Sequence, residues 1–378
     1  MTKLKPNKNV MFFAASALAM AAMIWFGHNN VTDFGINLTT DATYPRGRVV
    51  EMISDNTAVD ADGIRRGRQD LIVEILTGPN RGRLVQAQNI LFIDAAVNAQ
   101  VGTRIVLFFD YQEGDESYFA RVHSYERATL IYVVSALFLL LLFLVSGKSG
   151  LRSAFGLVFT FVTILFLLIP AIANGAPPAA STIMLSLLII AVSLIAIMGF
   201  EKKTLVSIAG TAIGIAFYCL FYLIISAALR ISGFNVPEMS ILMTVGFMAN
   251  ARISELLFCA ILIASLGAVM DTAVSVASAT AEIAQTGKKF EHKELFKRSM
   301  RMARDCIGSS ANTLILAFTG TFFISLVLFR LNNFDFHMLI HRTDIAIEVL
   351  RAISASAAMV LCGPATALIG SRIYSAKK

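Results

Sequence analysis

One apolar stretch of the chain carries groups able to handle a proton or a cation. It runs Ser265-Leu-Gly-Ala-Val-Met-Asp271-Thr-Ala-Val-Ser275-Val-Ala-Ser278-Ala-Thr-Ala-Glu282. At about 100° per residue, Asp271, Ser275, Ser278 and Glu282 fall within about 40° of one line down a helix, with Gly267 on the same line a turn earlier. A carboxyl inside a hydrocarbon-spanning helix has two uses. It can hydrogen-bond across a helix pair and keep one protonation state, or it can gain and lose a proton, or hold a cation, in a cycle. An Asp near the bilayer centre costs about 2.5–3.5 kcal/mol on insertion scales, so the stripe is expected to face other helices or water.

The partner stretch begins Arg304-Asp305-Cys-Ile-Gly308-Ser309-Ser-Ala-Asn312-Thr313 and runs on to Thr319-Gly320. Asp305, Ser309, Asn312 and Thr319 share a face, flanked by Gly308. Small residues let helix backbones approach, and Ser, Asn and Thr bond across the contact. The spacing therefore predicts a hairpin of two spans in which Asp271 faces Asn312 or Thr313, a little inward of the midplane, with Ser275 beside it. Ser278, Glu282, Asp305, Ser309 and Thr319 extend the polar stripe, and Asp305 also suits a helix N-terminus. Glu348 and Arg351 stand at i, i+3 at the outer mouth of the last span, where they read as an anchoring pair.

The elements that must hold these groups follow from composition. Of 378 residues, 56% are hydrophobic, and the mean hydropathy is +0.70, above the 45–50% apolar share of ordinary soluble domains. Runs of 18 residues or more suit spans of about 30 Å of hydrocarbon. Eight are expected: Val10–Phe26, Leu130–Ser146, Ala154–Ala173, Ala179–Phe200, Leu205–Leu229, Glu255–Glu282, Cys306–Phe329 and Ala352–Ser371. Residues 1–27 form an anchor helix, read as uncleaved because its Ala-x-Ala tripeptides lie inside the apolar run. Residues 128–378 form a seven-helix membrane domain with a basic loop at 285–304. Between them, residues 28–127 hold strand-like runs at Arg48–Ile53, Asp70–Leu76, Arg83–Gln88, Thr103–Phe109 and Tyr118–His123, separated by turn material such as Glu113-Gly-Asp115. Five short strands suggest a small β-barrel or sandwich, OB-like at best.

Short-loop charge sets the orientation. Lys3, Lys5, Lys8, Lys148, Arg152, Lys202, Lys203, the basic loop, Arg372, Lys377 and Lys378 fall on one side. Arg230, Arg252, Arg330 and Arg342 fall on the other. Both termini are expected to be cytoplasmic, and the β insert outside a bacterial cell membrane. The net charge of +7 then records topology, and no nucleic-acid partner is expected. Phe290, Leu295, Phe296 and Met300 among basic residues predict an amphipathic helix at 287–304 on anionic headgroups. Arg65, Arg66, Arg68, Arg81 and Arg83 are either a basic face or solubilising charge.

The chemistry is also bounded by what the sequence lacks. The four cysteines have no metal or redox spacing and read as small core residues, and the five histidines are scattered without a ligand cluster. There is no His-Glu-x-x-His, no Gly-x-Ser-x-Gly and no P-loop, so neither an enzyme nor a cofactor or metal is expected.

The two stripes, with Glu348-Val-Leu-Arg351, resemble the signature of YibE/F bacterial membrane proteins over the membrane part from about Ala128 onward. The order of parts is more weakly similar to SecD/SecF and the RND permeases. Asp271 matches their intramembrane Asp, Ala311-Asn312-Thr313-Leu314-Ile315 approximates the start of their next span, and Arg351 precedes the last span. Spans four and five and the small external domain depart from that pattern. The resemblance implies a transporter or exporter coupled to protons or ions through Asp271. The alternative is a non-transporting assembly or translocation accessory factor that binds an envelope protein through residues 28–127.

Overall fold

A computed structural model describes residues 8–30, 43–61, 63–91, 97–111, 118–235, 252–286 and 290–375. The expected turn at Glu113–Asp115 and the cations Lys3, Lys5, Lys288, Lys289, Lys377 and Lys378 lie outside them. The chain divides into a unit of Ile36–Leu141 and a unit of Met1–Gly35 with Leu142–Lys378.

In the smaller unit all five strand runs form strands: β1 (Arg46–Val59), β2 (Arg65–Ile75), β3 (Leu84–Leu91), β4 (Arg104–Tyr111) and β5 (Tyr118–Tyr125). They close into a barrel in the order β1-β2-β3-β5-β4. Neighbours are antiparallel except β3 and β5, joined by a parallel bridge at Gln88 and Arg121. Alternation decides what fills the barrel: Leu71, Val73, Ile75, Val85, Ala87, Ile105, Leu107, Phe109, Ala120 and Val122 are buried. Two polar residues also point inward and satisfy each other. Asn89 Nδ2 donates to Gln69 Oε1 at 2.8 Å and to the Val97 carbonyl at 2.6 Å. The arginines on β2 are paired: Arg65 with Asp55 at 3.4 Å, Arg66 with Asp60 at 2.8 Å and Arg68 with Asp70 at 2.7 Å. That favours solubilising charge over a basic face.

The larger unit is helical. Its elements are α1 (Lys8–Asn29), α2 (Ala128–Thr163, which begins in the smaller unit), α3 (Ile169–Ala173, joined to α2 by a π-turn), α4 (Pro178–Met198), α5 (Lys202–Ala228), α6 (Ile253–Ala284), α7 (His292–Leu331), α8 (Phe336–Ile340) and α9 (Thr343–Tyr374). Among the described residues seven helices are long and apolar enough to cross a membrane. The expected second and third spans fall in one 46-residue stretch, Ala128–Ala173. It is sharply bent at Gly147, whose φ of 55° and ψ of −135° are not helical and suit glycine alone. A Cβ on Gly150 would collide with the Leu142 carbonyl, although eight residues of straight helix would separate the two by about 12 Å.

α9 packs on α5, α6 and α7, and α5 packs on α6. Small residues set the approach: a Cβ on Gly210 would collide with Thr366 Oγ1, and one on Gly214 would press on Val269 and Cys362. Tyr218, fully buried, donates its hydroxyl to the Phe258 carbonyl at 2.8 Å, tying α5 to α6. All four cysteines are free, Cys259 and Cys362 within the core.

The expected surface-lying helix takes a different form. It is the first part of α7, continuous with the span through 40 residues. Leu295, Ser299 and Ala303 are buried, and Phe296 and Met300 pack with Val276 and Ala367. The apolar face that would have met lipid is used against α6 and α9. Lys293, Lys297, Arg301 and Arg304 remain exposed as one stripe on the opposite side.

Candidate polar site on α6 and α7

α6 has 32 residues, and its burial pattern is one-sided. Its inner face holds Ile261, Leu262, Val269, Ala273, Val276 and Ala277, all buried. The buried hydroxyls return to their own helix: Ser265 to the Leu262 carbonyl at 2.9 Å, Thr272 to Ala268 at 3.0 Å and Thr280 to Val276 at 2.7 Å. The opposite line exposes Ala260, Ala264, Gly267, Asp271, Ser275 and Glu282, with Ser278 half-buried. Among its described side chains α6 exposes no large apolar residue. By contrast, α9 exposes Val349, Ile353, Val360 and Leu368, as a lipid-facing helix should.

The surroundings of this line differ from the expected hairpin contact. Asp271 does not face Asn312 or Thr313 inside the hairpin: all three are exposed. Thr313 donates to the Ser309 carbonyl at 3.1 Å and Thr319 to Ile315 at 2.8 Å, both on α7 itself. Among the described residues, Asp271, Ser275 and Asn312 have no side-chain hydrogen bond or ion pair. The reason is the face that α7 turns inward. Val276 clusters with Ala303, and Ala268 with Leu314. Counted from the first level Asp271 lies at the depth of about Gly308, and counted from the second at that of about Ala311. α7 turns Leu314 and Phe318 towards the bundle and leaves Asp305, Gly308, Ser309, Asn312 and Thr319 outward. Cβ atoms on Gly267 or Gly308 would meet nothing within 4 Å.

Glu348 and Arg351 do meet: Arg351 Nη1 donates to Glu348 Oε1 at 2.8 Å. The second oxygen, Glu348 Oε2, is buried without a partner. This pair is on α9.

Sequence reasoning overlooked a patch on the barrel. Phe108, Phe119, Arg121 and His123 line an open pocket of about 250 Å³ on the outward face of β4 and β5. Tyr44 packs edge-on against Phe108 and His123, with ring centroids 5.7 and 5.2 Å away. Tyr44, just before β1, and Phe119 on β5 are 57% and 50% exposed, large apolar exposure for the outside of a barrel. The available signal was the aromatic residues at Phe108 and Phe119, out of phase with the buried strand positions.

Comparison with known proteins adds one match. The sequence model of the family described as YibE/F-like protein matches residues 134–376, well over half of the chain. No curated protein and no solved structure matches, and nothing in these comparisons shows a likeness to SecD/SecF. The match and the membrane-length helices together make the chain a multi-pass membrane protein.

Proposed function

The chain belongs to the YibE/F-like family, and from that membership and the polar line on α6 we propose a permease that couples transport or export to protons or other ions through Asp271. One observation carries the reading: among its described side chains, a membrane-length helix presents only Ala, Gly, Ser, Asp and Glu on its open side. Lipid does not stabilise such a surface, and intramembrane carboxyls of this kind mark ion or proton paths. On this reading the line borders water or a moving helix. Asp271 takes a proton from one side and releases it to the other, and Ser275, Asn312 and Thr313 orient it when the site closes. One charge moved through 100 mV supplies about 2.3 kcal/mol, enough to shift a two-state equilibrium nearly fiftyfold. In proteoliposomes, a pH gradient should drive cargo flux in the parent, and Asp271→Asn should abolish the coupling. Equal gradient-driven flux in the two proteins would remove Asp271 from the mechanism.

The finer architecture belongs to the same reading. The bend at Gly147 supports counting Ala128–Ala173 as two spans, making eight, with both termini cytoplasmic in a bacterial cell membrane and the barrel outside. The strand order and the parallel β3–β5 bridge support an OB-like barrel. The stripe Lys293, Lys297, Arg301 and Arg304 supports contact between residues 287–304 and anionic headgroups. No catalytic chemistry is assigned.

The aromatic patch favours a second reading, an accessory factor that holds an envelope protein through the barrel. Crosslinking from Phe108 and Phe119 in intact cells separates the two. A partner captured by the parent and lost in Phe108→Ala/Phe119→Ala, with no flux in liposomes, selects the factor.

A further inference from the structure

The turn between α7 and α9 holds two groups that neither reading uses. α8 contains His337, and its C-cap is His341. Four residues make little more than one helical turn, so the two side chains leave on one face. Both residues are exposed. Their ring centroids lie 4.8 Å apart with planes at 64°.

That spacing can be compared with metal chelation. A metal–imidazole bond of about 2.0–2.1 Å lies in the ring plane, which sets the ion about 3.2 Å from the centroid. Two rings on one tetrahedral ion then have centroids about 5.2 Å apart, and on a square-planar ion about 4.5 Å. The observed pair lies between these limits. The local charge is also permissive. Asp335 is two residues before His337 and accepts from its backbone N–H at 3.1 Å. Arg342, next to His341, is bound to Asp344 at 2.9 Å and lies over the Phe329 ring at 4.7 Å, so its charge is compensated on another side. Among the described residues no third His, Cys, Asp or Glu completes a cluster.

We propose that His337 and His341 form a two-imidazole clamp for a divalent transition-metal ion of the Zn2+, Cu2+ or Ni2+ class, whose remaining coordination positions stay open to water. Imidazole nitrogen suits these ions. Binding requires both rings neutral, so protons compete with the metal. The clamp is independent of Asp271 and stands whether or not the protein transports ions.

The test uses the full chain in nanodiscs, stripped of metal and titrated separately with Cu2+ and Zn2+. The parent should bind one more equivalent than His337→Ala/His341→Ala, in which His28, His123 and His292 remain as background. Each single variant should weaken binding about tenfold or more. The paramagnetic resonance of the Cu2+ form should show two coupled imidazole nitrogens, falling to one in either single variant. His337→Gln should repeat the loss with a polar side chain and unchanged thermal stability. Equal binding in parent and double variant, or fewer than two coupled nitrogens in the parent, overturns the clamp.

Discussion

At the scale of single residues, Asp55 shows how the barrel edge responds to acid. It accepts from the Thr57 hydroxyl and backbone and from Gln69 at 3.1 Å, and faces Arg65 at 3.4 Å. The Thr57 and Gln69 hydrogen bonds, with smaller help from Arg65, hold its carboxyl below the ordinary range. The Arg68 hydrogen bond, with help from Ser54, does the same for Asp70. A carboxyl whose folded value is depressed adds stability above its unfolded value, near 4, and that stability disappears as pH falls through the lower folded value. Hydrogen exchange of β1 and β2 amides should therefore accelerate as pH drops below about 4, after correction for the intrinsic rate. Asp55→Asn/Asp70→Asn should flatten that acid limb, and an unchanged limb would place the acid sensitivity elsewhere. Arg351 invites a second test. Glu348 and Arg351 side chains are 19% and 26% exposed, so removing the arginine leaves a largely buried carboxyl. A fully buried pair broken in this way costs about 3–5 kcal/mol, and partial exposure lowers that to about 1–3 kcal/mol. Arg351→Ala should lower the thermal midpoint in detergent, and Glu348→Gln added to it should recover much of the loss. No recovery would mean that Arg351 acts through packing.

At the scale of elements, glycines of the same chemistry should divide sharply. Gly210 abuts Thr366 of α9, whereas Gly267 on α6 borders open space. Gly210→Val should overpack α5 against α9 and cost about 1–3 kcal/mol or more, read as lost monodisperse protein on size exclusion. Gly267→Ala should leave stability unchanged or slightly raised, since Ala is the better helix former by about 1 kcal/mol. If Gly267→Ala also stops flux, the open line is a working surface, and if Gly210→Val is tolerated, the α5–α9 seam is looser than the structure has it. Periodicity explains what was legible here. Strand-like runs between turn residues revealed the five strands, and apolar length revealed the spans. A helical wheel told which residues share a line with Asp271, but not what occupies the space beside it. That depends on which face α7 turns to the bundle, set by Ala303, Leu314 and Phe318 through contacts distant in sequence. The His337–His341 spacing was likewise present in the sequence, but it mattered only once α8 made that stretch helical.

At the scale of the whole molecule, the bend at Gly147 decides the sidedness of everything after it. If Ala128–Ala173 crosses once, the Lys148–Arg152 segment lies in hydrocarbon, with each cation costing about 2.5–3.5 kcal/mol, and every later loop inverts. If the chain turns at Gly147, Ala128–Ser146 is a helix of about 28 Å, matching the hydrocarbon thickness, and Lys148 and Arg152 reach the interface. The same count places Lys202, Lys203, Arg298, Arg301 and Arg372 on that side, the distribution expected of cytoplasmic loops. Single cysteines at Ser149, Lys202 and Arg298 in a background lacking Cys219, Cys259, Cys306 and Cys362 test this directly. A membrane-impermeant maleimide applied to intact cells should miss all three and label them after permeabilisation. Cysteines at Asn80 on the barrel and Asn174 should react from outside. Ser149 protected in both conditions, with Lys202 labelled from outside, would mean a single crossing. It would also reverse the direction in which Asp271 meets the proton gradient, because α6 would then run from the cytoplasm outward.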